Sequence, residues 1–145
     1  MSILSGLFRA SVAKTDRYGR TALHYAAGPN LSVTKVGILI ALGADVNAAD
    51  KNGWTPLHFA AQENAAKAVE LLLRAGASVD VPDKQGNTAL FRAVSSFRGD
   101  GTTIQLLRQH GADPYLANNH GNSPVSSARL VANYNIAQFF SDLPE

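Results

Sequence analysis

Few side chains in this sequence could do chemistry, and those that could are evenly spaced. His24 and His58 stand 34 residues apart. Two imidazoles could begin a metal site, but stacked helices lie ~8–10 Å apart. Further ligands would be needed between them, and the chain has no cysteine. Asp16, Asp50 and Asp83 recur in one Asp-x-x-Gly context, which points to turn formation and not to a paired acid and base. His110 and His120 are isolated, His120 at a predicted turn tip. No serine sits in a nucleophile elbow, and no glycine-rich stretch has phosphate-cradling spacing. Arg98-Gly99-Asp100 spells an integrin-type tripeptide and Asn30-Leu31-Ser32 a glycosylation triplet; in a cytoplasmic chain both are coincidences. An enzyme has almost no positive support, and neither cofactor nor metal is expected.

The elements that hold these residues repeat. Asp50-Lys51-Asn52-Gly53 suits a type I turn, with Asp first and Gly fourth. Thr55 can offer its hydroxyl to the free amides of a helix start, and Pro56 needs no amide partner at the first helical position. Leu57, Ala60 and Ala61 give the following helix one narrow apolar face. Asp16 to Ala27 repeats the pattern closely, Asp83 to Leu90 repeats its first half, and Asn118 to Val125 is a degenerate copy. The turn glycines Gly19, Gly53, Gly86 and Gly121 step by 34, 33 and 35 residues; Gly43, Gly76 and Gly111, each followed by Ala, step by 33 and 35. Two independent markers with one period predict a solenoid.

At Thr55-Pro56-Leu57-His58-Phe59-Ala60 the sequence resembles the ankyrin family, whose signature it fits at every specified position. The resemblance runs from about Asp16 to the end. It implies an all-α ankyrin-repeat solenoid in a single domain, residues 1–145. About four helix-turn-helix repeats (16–49, 50–82, 83–117 and 118–145) would be joined by β-hairpin-like loops, behind an N-terminal capping helix within 1–15. The family also implies a structural role for His24 and His58, hydrogen bonding the backbone of a neighbouring hairpin.

Length and composition agree. Four repeats fill 145 residues and leave no room for a separate catalytic domain. A net charge of +2 is too small to imply nucleic acid or an anionic membrane. The absence of cysteine fits a reducing compartment. Met1-Ser2-Ile3-Leu4-Ser5-Gly6-Leu7-Phe8 lacks the form of a signal peptide, and no apolar run approaches the ~20 residues of a membrane helix. The chain reads as cytoplasmic, complete and monomeric on its own.

Along the chain, Ile3, Leu4, Leu7 and Phe8 predict a helix over 2–12, a cap or else a membrane- or partner-binding helix. Helices are expected at about Thr21–Ala27, Ser32–Leu42, Thr55–Gln62 and Ala65–Arg74, with Val69, Leu72 and Leu73 facing the stack. The third repeat departs from the pattern: Phe91 replaces the usual His, and Arg92 stands where Tyr25 and Phe59 stand. Its link Ser95 to Gly101 is longer and glycine-rich, predicting a mobile loop, functional or a harmless insertion. In the fourth repeat Val125, Leu130, Val131, Ile136, Phe139 and Phe140 are expected to supply the packing face, with Asn133-Tyr134-Asn135 separating two helices.

What remains is recognition of another protein. A repeat stack offers a long concave surface. The family resemblance implies contact sites at the variable positions around each turn and at the outer end of the first helix. In this chain they are Arg17, Tyr18 and Arg20; Lys51, Asn52, Trp54, Gln62 and Glu63; Lys84, Gln85, Asn87, Ser95 and Ser96; and Asn119, His120 and Asn122. Trp54, the one tryptophan, is the strongest candidate because aromatics and Arg dominate interface energetics. The alternative is that it lies buried on its neighbouring hairpin. Basic tips suggest an acidic partner surface. Resemblance to small stand-alone bacterial ankyrin proteins suggests an immunity protein that neutralises a secreted toxin; the alternative is an adaptor recruiting a signalling or effector partner. Irregular third and fourth repeats argue against a consensus design.

Overall fold

The computed structural model describes residues 10–131 and 135–145. The helix expected over 2–12 falls largely outside the described residues; residues 10–12 are helical and Val12 is buried. The expected break at Asn133 and Tyr134 also falls outside them. Seven α-helices lie wholly within the described residues: α1 (Ala22–Ala27), α2 (Val33–Ala41), α3 (Pro56–Gln62), α4 (Ala66–Arg74), α5 (Ala89–Ser95), α6 (Thr102–Gln109) and α7 (Pro124–Leu130). A 3₁₀ helix, Ile136–Phe140, follows. No strand occurs among the described residues.

The helices form two layers. α1, α3, α5 and α7 pack in series as one layer, and α2, α4 and α6 as the other. Each first helix also packs on the second helix of its own repeat. Small residues let the first layer close up: Ala26, Ala27, Ala60, Ala61 and Ala93 are all buried. Leu23, Leu57 and Leu90, one per repeat, fill the space between layers and are fully buried. Val69, Leu72 and Leu73 face the stack as expected.

Local chemistry sets the boundaries. Thr55 and Ser123 cap α3 and α7, each followed by Pro at the first helical position. The second helices end in Schellman caps. At α4, Ala77 N–H donates to Leu72 O at 3.0 Å and Gly76 N–H to Leu73 O at 3.1 Å. Gly76 sits at φ +93°, which favours glycine.

The turns between repeats are tied by their leading Asp or Asn. In the second turn Gly53 N–H donates to Asp50 O at 2.9 Å, while Asp50 Oδ1 accepts from Asn52 and Trp54 N–H, both at 2.9 Å. Asp16, Asp83 and Asn118 do the same. Successive hairpins touch through one backbone bond each: Lys51 N–H to Tyr18 O, Lys84 N–H to Asn52 O and Asn119 N–H to Gln85 O. That contact leaves no space for a side chain at Gly86. A Cβ there would lie 2.9 Å from Asn119 N, and φ is already +81°.

Two sequence expectations need correction. Leu130 and Val131 do not supply packing; they are 78% and 41% exposed. α7 buries Val125 and Ala128, and Leu130 lies on the opposite side of the helix from Ala128. The Ser95–Gly101 link is held at both ends. Phe97 is buried, Ser96 Oγ donates to Ala61 O at 3.3 Å and to Arg92 O at 2.8 Å, and Gly101 packs against Phe139 so closely that a Cβ would meet the ring at 2.1 Å. Ser95, Arg98, Gly99 and Asp100 stand exposed within it, and Asp100 Oδ1 accepts from Thr102 N–H and Oγ1–H.

Candidate partner-binding face

The second carboxylate oxygen of each turn aspartate needs a partner, and the helix residue nine positions on decides which. In the first repeat Tyr25 donates its hydroxyl to Asp16 Oδ2. This bond is the main cause holding Asp16 below its ordinary value. In the third, Arg92 takes the tyrosine's place and pairs with Asp83 Oδ2 at 2.5 Å. The second repeat has Phe59 there, with nothing to donate. Asp50 Oδ2 is reached instead by Arg20 of the preceding hairpin, Nε to Oδ2 3.1 Å. Both buried carboxylates are thus matched by guanidinium groups.

Those guanidinium groups tie the hairpin face into one ladder of rings and cations. Arg20 lies 5.4 Å from the Tyr18 ring centroid and 4.9 Å from that of Phe59. Phe59 and Trp54 are 4.8 Å apart. The Arg92 guanidinium lies over the Trp54 ring, 4.4 Å from its centroid. Each cation–π contact contributes ~0.5–2 kcal/mol to holding this arrangement. Between the second and third hairpins it floors a groove of about 360 Å³, lined by Arg20, Asn52, Trp54, Phe59, Asp83, Lys84, Gln85 and Arg92. Trp54 is neither free nor buried: its body packs on the core and an edge stays in the groove.

His24 and His58 are structural. His24 Nδ1 accepts from Thr21 N–H at 3.0 Å, which leaves Nε2–H to donate to Trp54 O at 3.0 Å. His58 does the same between Thr55 N–H and Asn87 O, at 3.1 and 2.9 Å. Each imidazole therefore closes its own helix start and pins the next hairpin. Burial pushes both below the ordinary histidine value, against the opposing pull of the carbonyl each donates to. Asp50 and Arg20 bear on His24; Asp83, Arg92 and Asp50 bear on His58. Protonation would set a proton on Nδ1 against the Thr N–H. Folded values below 6.5 mean the unfolded chain takes up protons first. Their contribution to stability is therefore full above pH ~6.5 and falls as the pH drops toward the folded values, by at most ~1.4 kcal/mol per pH unit per histidine. Urea unfolding at pH 7.5 and 5.0 measures this fall. It should shrink in His24→Asn/His58→Asn, and an unchanged fall would assign it to other groups.

A family model described as ankyrin repeats (3 copies) matches residues 30–118. This chain belongs to the ankyrin-repeat family. Curated relatives agree. A probable 26S proteasome regulatory subunit, p28, of Saccharomyces cerevisiae is 36% identical over 129 residues, covering 88% of this chain and 54% of the relative. The SMC5-SMC6 complex localization factor protein 1 of Homo sapiens is 38% identical over 105 residues, 71% of this chain and 10% of the relative. Tyrosine-protein kinase HTK16 of Hydra vulgaris is 29% identical over 126 residues, 87% of this chain and 16% of the relative. The chain thus spans about half or less of the length of these relatives. Ankyrin repeats are protein-interaction modules, and among the described residues no helix is long and apolar enough to cross a membrane.

The ankyrin fold gathers some of the expected contact residues and withdraws others. Arg20, Asn52, Trp54, Lys84 and Gln85 meet in the groove. Arg17, Tyr18 and Lys51 are exposed on the adjoining hairpins, and Asn119, His120 and Asn122 on the fourth. Gln62, Glu63 and Ser95 lie at the far ends of α3 and α5 and do not line the groove. Asn87 and Ser96 are corrected. Both are buried, Ser96 on Ala61 O and Asn87 with its Oδ1 accepting from Asn118 Nδ2–H at 2.9 Å. Asn118 and Asn119 hold the fourth hairpin where Phe91, lacking a ring nitrogen, cannot. The sequence reasoning missed Phe59, Asp83 and Arg92 as groove residues. Their signal was the shared nine-residue spacing from turn aspartate to helix side chain, which pairs Asp83 with Arg92 as it pairs Asp16 with Tyr25.

Proposed function

We propose that the chain is a non-catalytic protein-binding module whose contact face is the row of hairpins and the first-helix layer beside it. The observation that carries this reading is the half-exposed ladder from Tyr18 to Arg92. It packs aromatic and guanidinium groups, the types richest in interface energy, against one another, with Tyr18 exposed, Trp54 half-buried and Phe59 buried behind them. A partner that buries the Trp54 edge removes apolar surface from water without an ordering cost on this side. The role fits recruitment or regulation, in keeping with relatives whose names describe a regulatory subunit and a localization factor. Toxin neutralisation would use the same ridge to occlude a toxin's site; the relatives named, from animals and yeast, lend that finer reading no support.

The test compares two double variants in partner capture from the source cell. Trp54→Ala/Tyr18→Ala strips the ridge without stranding a buried charge. Lys67→Ala/Arg74→Ala alters the exposed side of α4. The ridge variant should lose the partner at least tenfold, and the α4 variant should keep it. Equal recovery by the ridge variant and wild type would place the interface elsewhere.

A further inference from the structure

We propose that the hairpin face is built for an extended acidic segment in the polyproline II conformation, with a carboxylate at every third residue. The inference rests on the protein-binding reading above and adds the partner's chemistry and register. Arg17, Lys51 and Lys84 hold the same position, just after the turn aspartate, in three consecutive hairpins. All three are exposed, and no ion pair engages them among the described residues; Arg17 donates to the Tyr18 hydroxyl at 2.6 Å and lies over its ring but keeps its charge unmatched. The other cations of this face, Arg20 and Arg92, are committed to Asp50 and Asp83. The attraction this ridge offers an anion therefore comes from one cation per repeat. The row stops at the fourth hairpin, where Asn119 stands in the same position with its amide donating to Lys84 O.

The spacing of the row follows from the backbone. The hairpins are bonded directly to one another, Lys51 N–H to Tyr18 O and Lys84 N–H to Asn52 O. Two chain arms per hairpin, each ~4.8 Å wide, set neighbouring tips about 10 Å apart. A β-strand covers that distance in three residues, but its side chains alternate, so residues i and i+3 face opposite ways. A polyproline II helix has three residues per turn and a rise of 3.1 Å, which puts i, i+3 and i+6 on one face about 9 Å apart. An α-helix meets the spacing only about every seven residues, against about every three for polyproline II. The groove beside Lys84 is lined by Trp54 and Phe59, aromatic side chains on which a proline-rich segment can rest. Polyproline II segments dock on aromatic floors of this kind with little ordering cost.

The test uses the intrinsic fluorescence of Trp54, the one tryptophan of the chain. The probe is a blocked nonapeptide of three Glu-Pro-Pro units. It should shift the Trp54 emission saturably and weaken as salt is raised. An isomer with the same composition but its three Glu contiguous should bind at least tenfold more weakly. Lys51→Gln/Lys84→Gln should weaken binding at least tenfold, and Lys51→Glu/Lys84→Glu should abolish it; both variants change exposed side chains and should keep the wild-type Tm. Equal affinity for the two isomers would overturn the register. Tighter binding of a helical peptide with Glu at seven-residue intervals, or of an oligothymidylate, would overturn the partner class. Absence of binding at millimolar peptide would overturn the proposal outright. If ridge-dependent partner capture survives any of these, only this inference falls and the protein-binding reading stands.

Discussion

Arg92→Ala is expected to lower the unfolding free energy by about 3 kcal/mol in urea titration. The Asp83 side chain is 1% exposed and that of Arg92 17%, with 2.5 Å between them. Removing one member of a buried pair costs ~3–5 kcal/mol, mostly because the other charge is stranded. The lower end applies because Asp83 Oδ1 keeps the amides of Gln85 and Asn87, both at 2.9 Å. Loss of the guanidinium from the Trp54 ring adds a smaller packing term. The two causes separate in a second variant. Asp83→Asn added to Arg92→Ala removes the stranded charge and should recover at least about 1 kcal/mol. A double variant no more stable than Arg92→Ala alone would assign the cost to the Trp54 stack. Either result bears on function, since the same guanidinium holds the groove floor in place.

Leu72→Ala is expected to cost ~2–5 kcal/mol, the range for a buried leucine truncated with its cavity left behind. Leu72 is fully buried, and α4 lies between α2 and α6 with α3 across the layer, so collapse from any side is resisted. Its place in the stack matters as much as its burial. In a solenoid each repeat is held by its neighbours, so weakening an interior repeat loosens two interfaces at once. The loss should appear as a lower urea midpoint, and a fall in the m-value would show the array unfolding in parts. Leu130→Ala is the control. That side chain is 78% exposed, and its change should stay within ~0.5 kcal/mol. A loss as large at Leu130 as at Leu72 would contradict the two-layer packing.

Most of the fold was legible because it is written locally and repeated. Asp50 and Gly53 make the turn from their own backbone bonds, Thr55 and Pro56 start the helix, and Gly76 ends the next one. None of these choices waits on a distant residue, so a period near 33 exposes them all. The end of the stack was harder. Leu130 and Val131 look like core residues by type, yet burial depends on which way the helix face turns and on what stands beyond it. The loop after α5 shows the converse: glycine there reads as freedom, but Gly101 is small because Phe139, 38 residues away, packs against it.

The candidate site divides the same way. Sequence by itself determined that the chain is a stack of helix pairs with a line of hairpins, and which residues ride on the tips: Arg17, Lys51 and Lys84 follow directly from their place in the turn. Only the tertiary structure decided which of the tip and helix residues remain available. Arg20 crosses to Asp50 because Phe59 has nothing to donate, Arg92 closes on Asp83 and covers Trp54, and Asn87 and Ser96 turn inward to hold the neighbouring repeat. The reason is physical. A turn or a cap is settled by bonds within a few residues, whereas the partner of a charge is settled by whichever side chain from the next repeat can reach it.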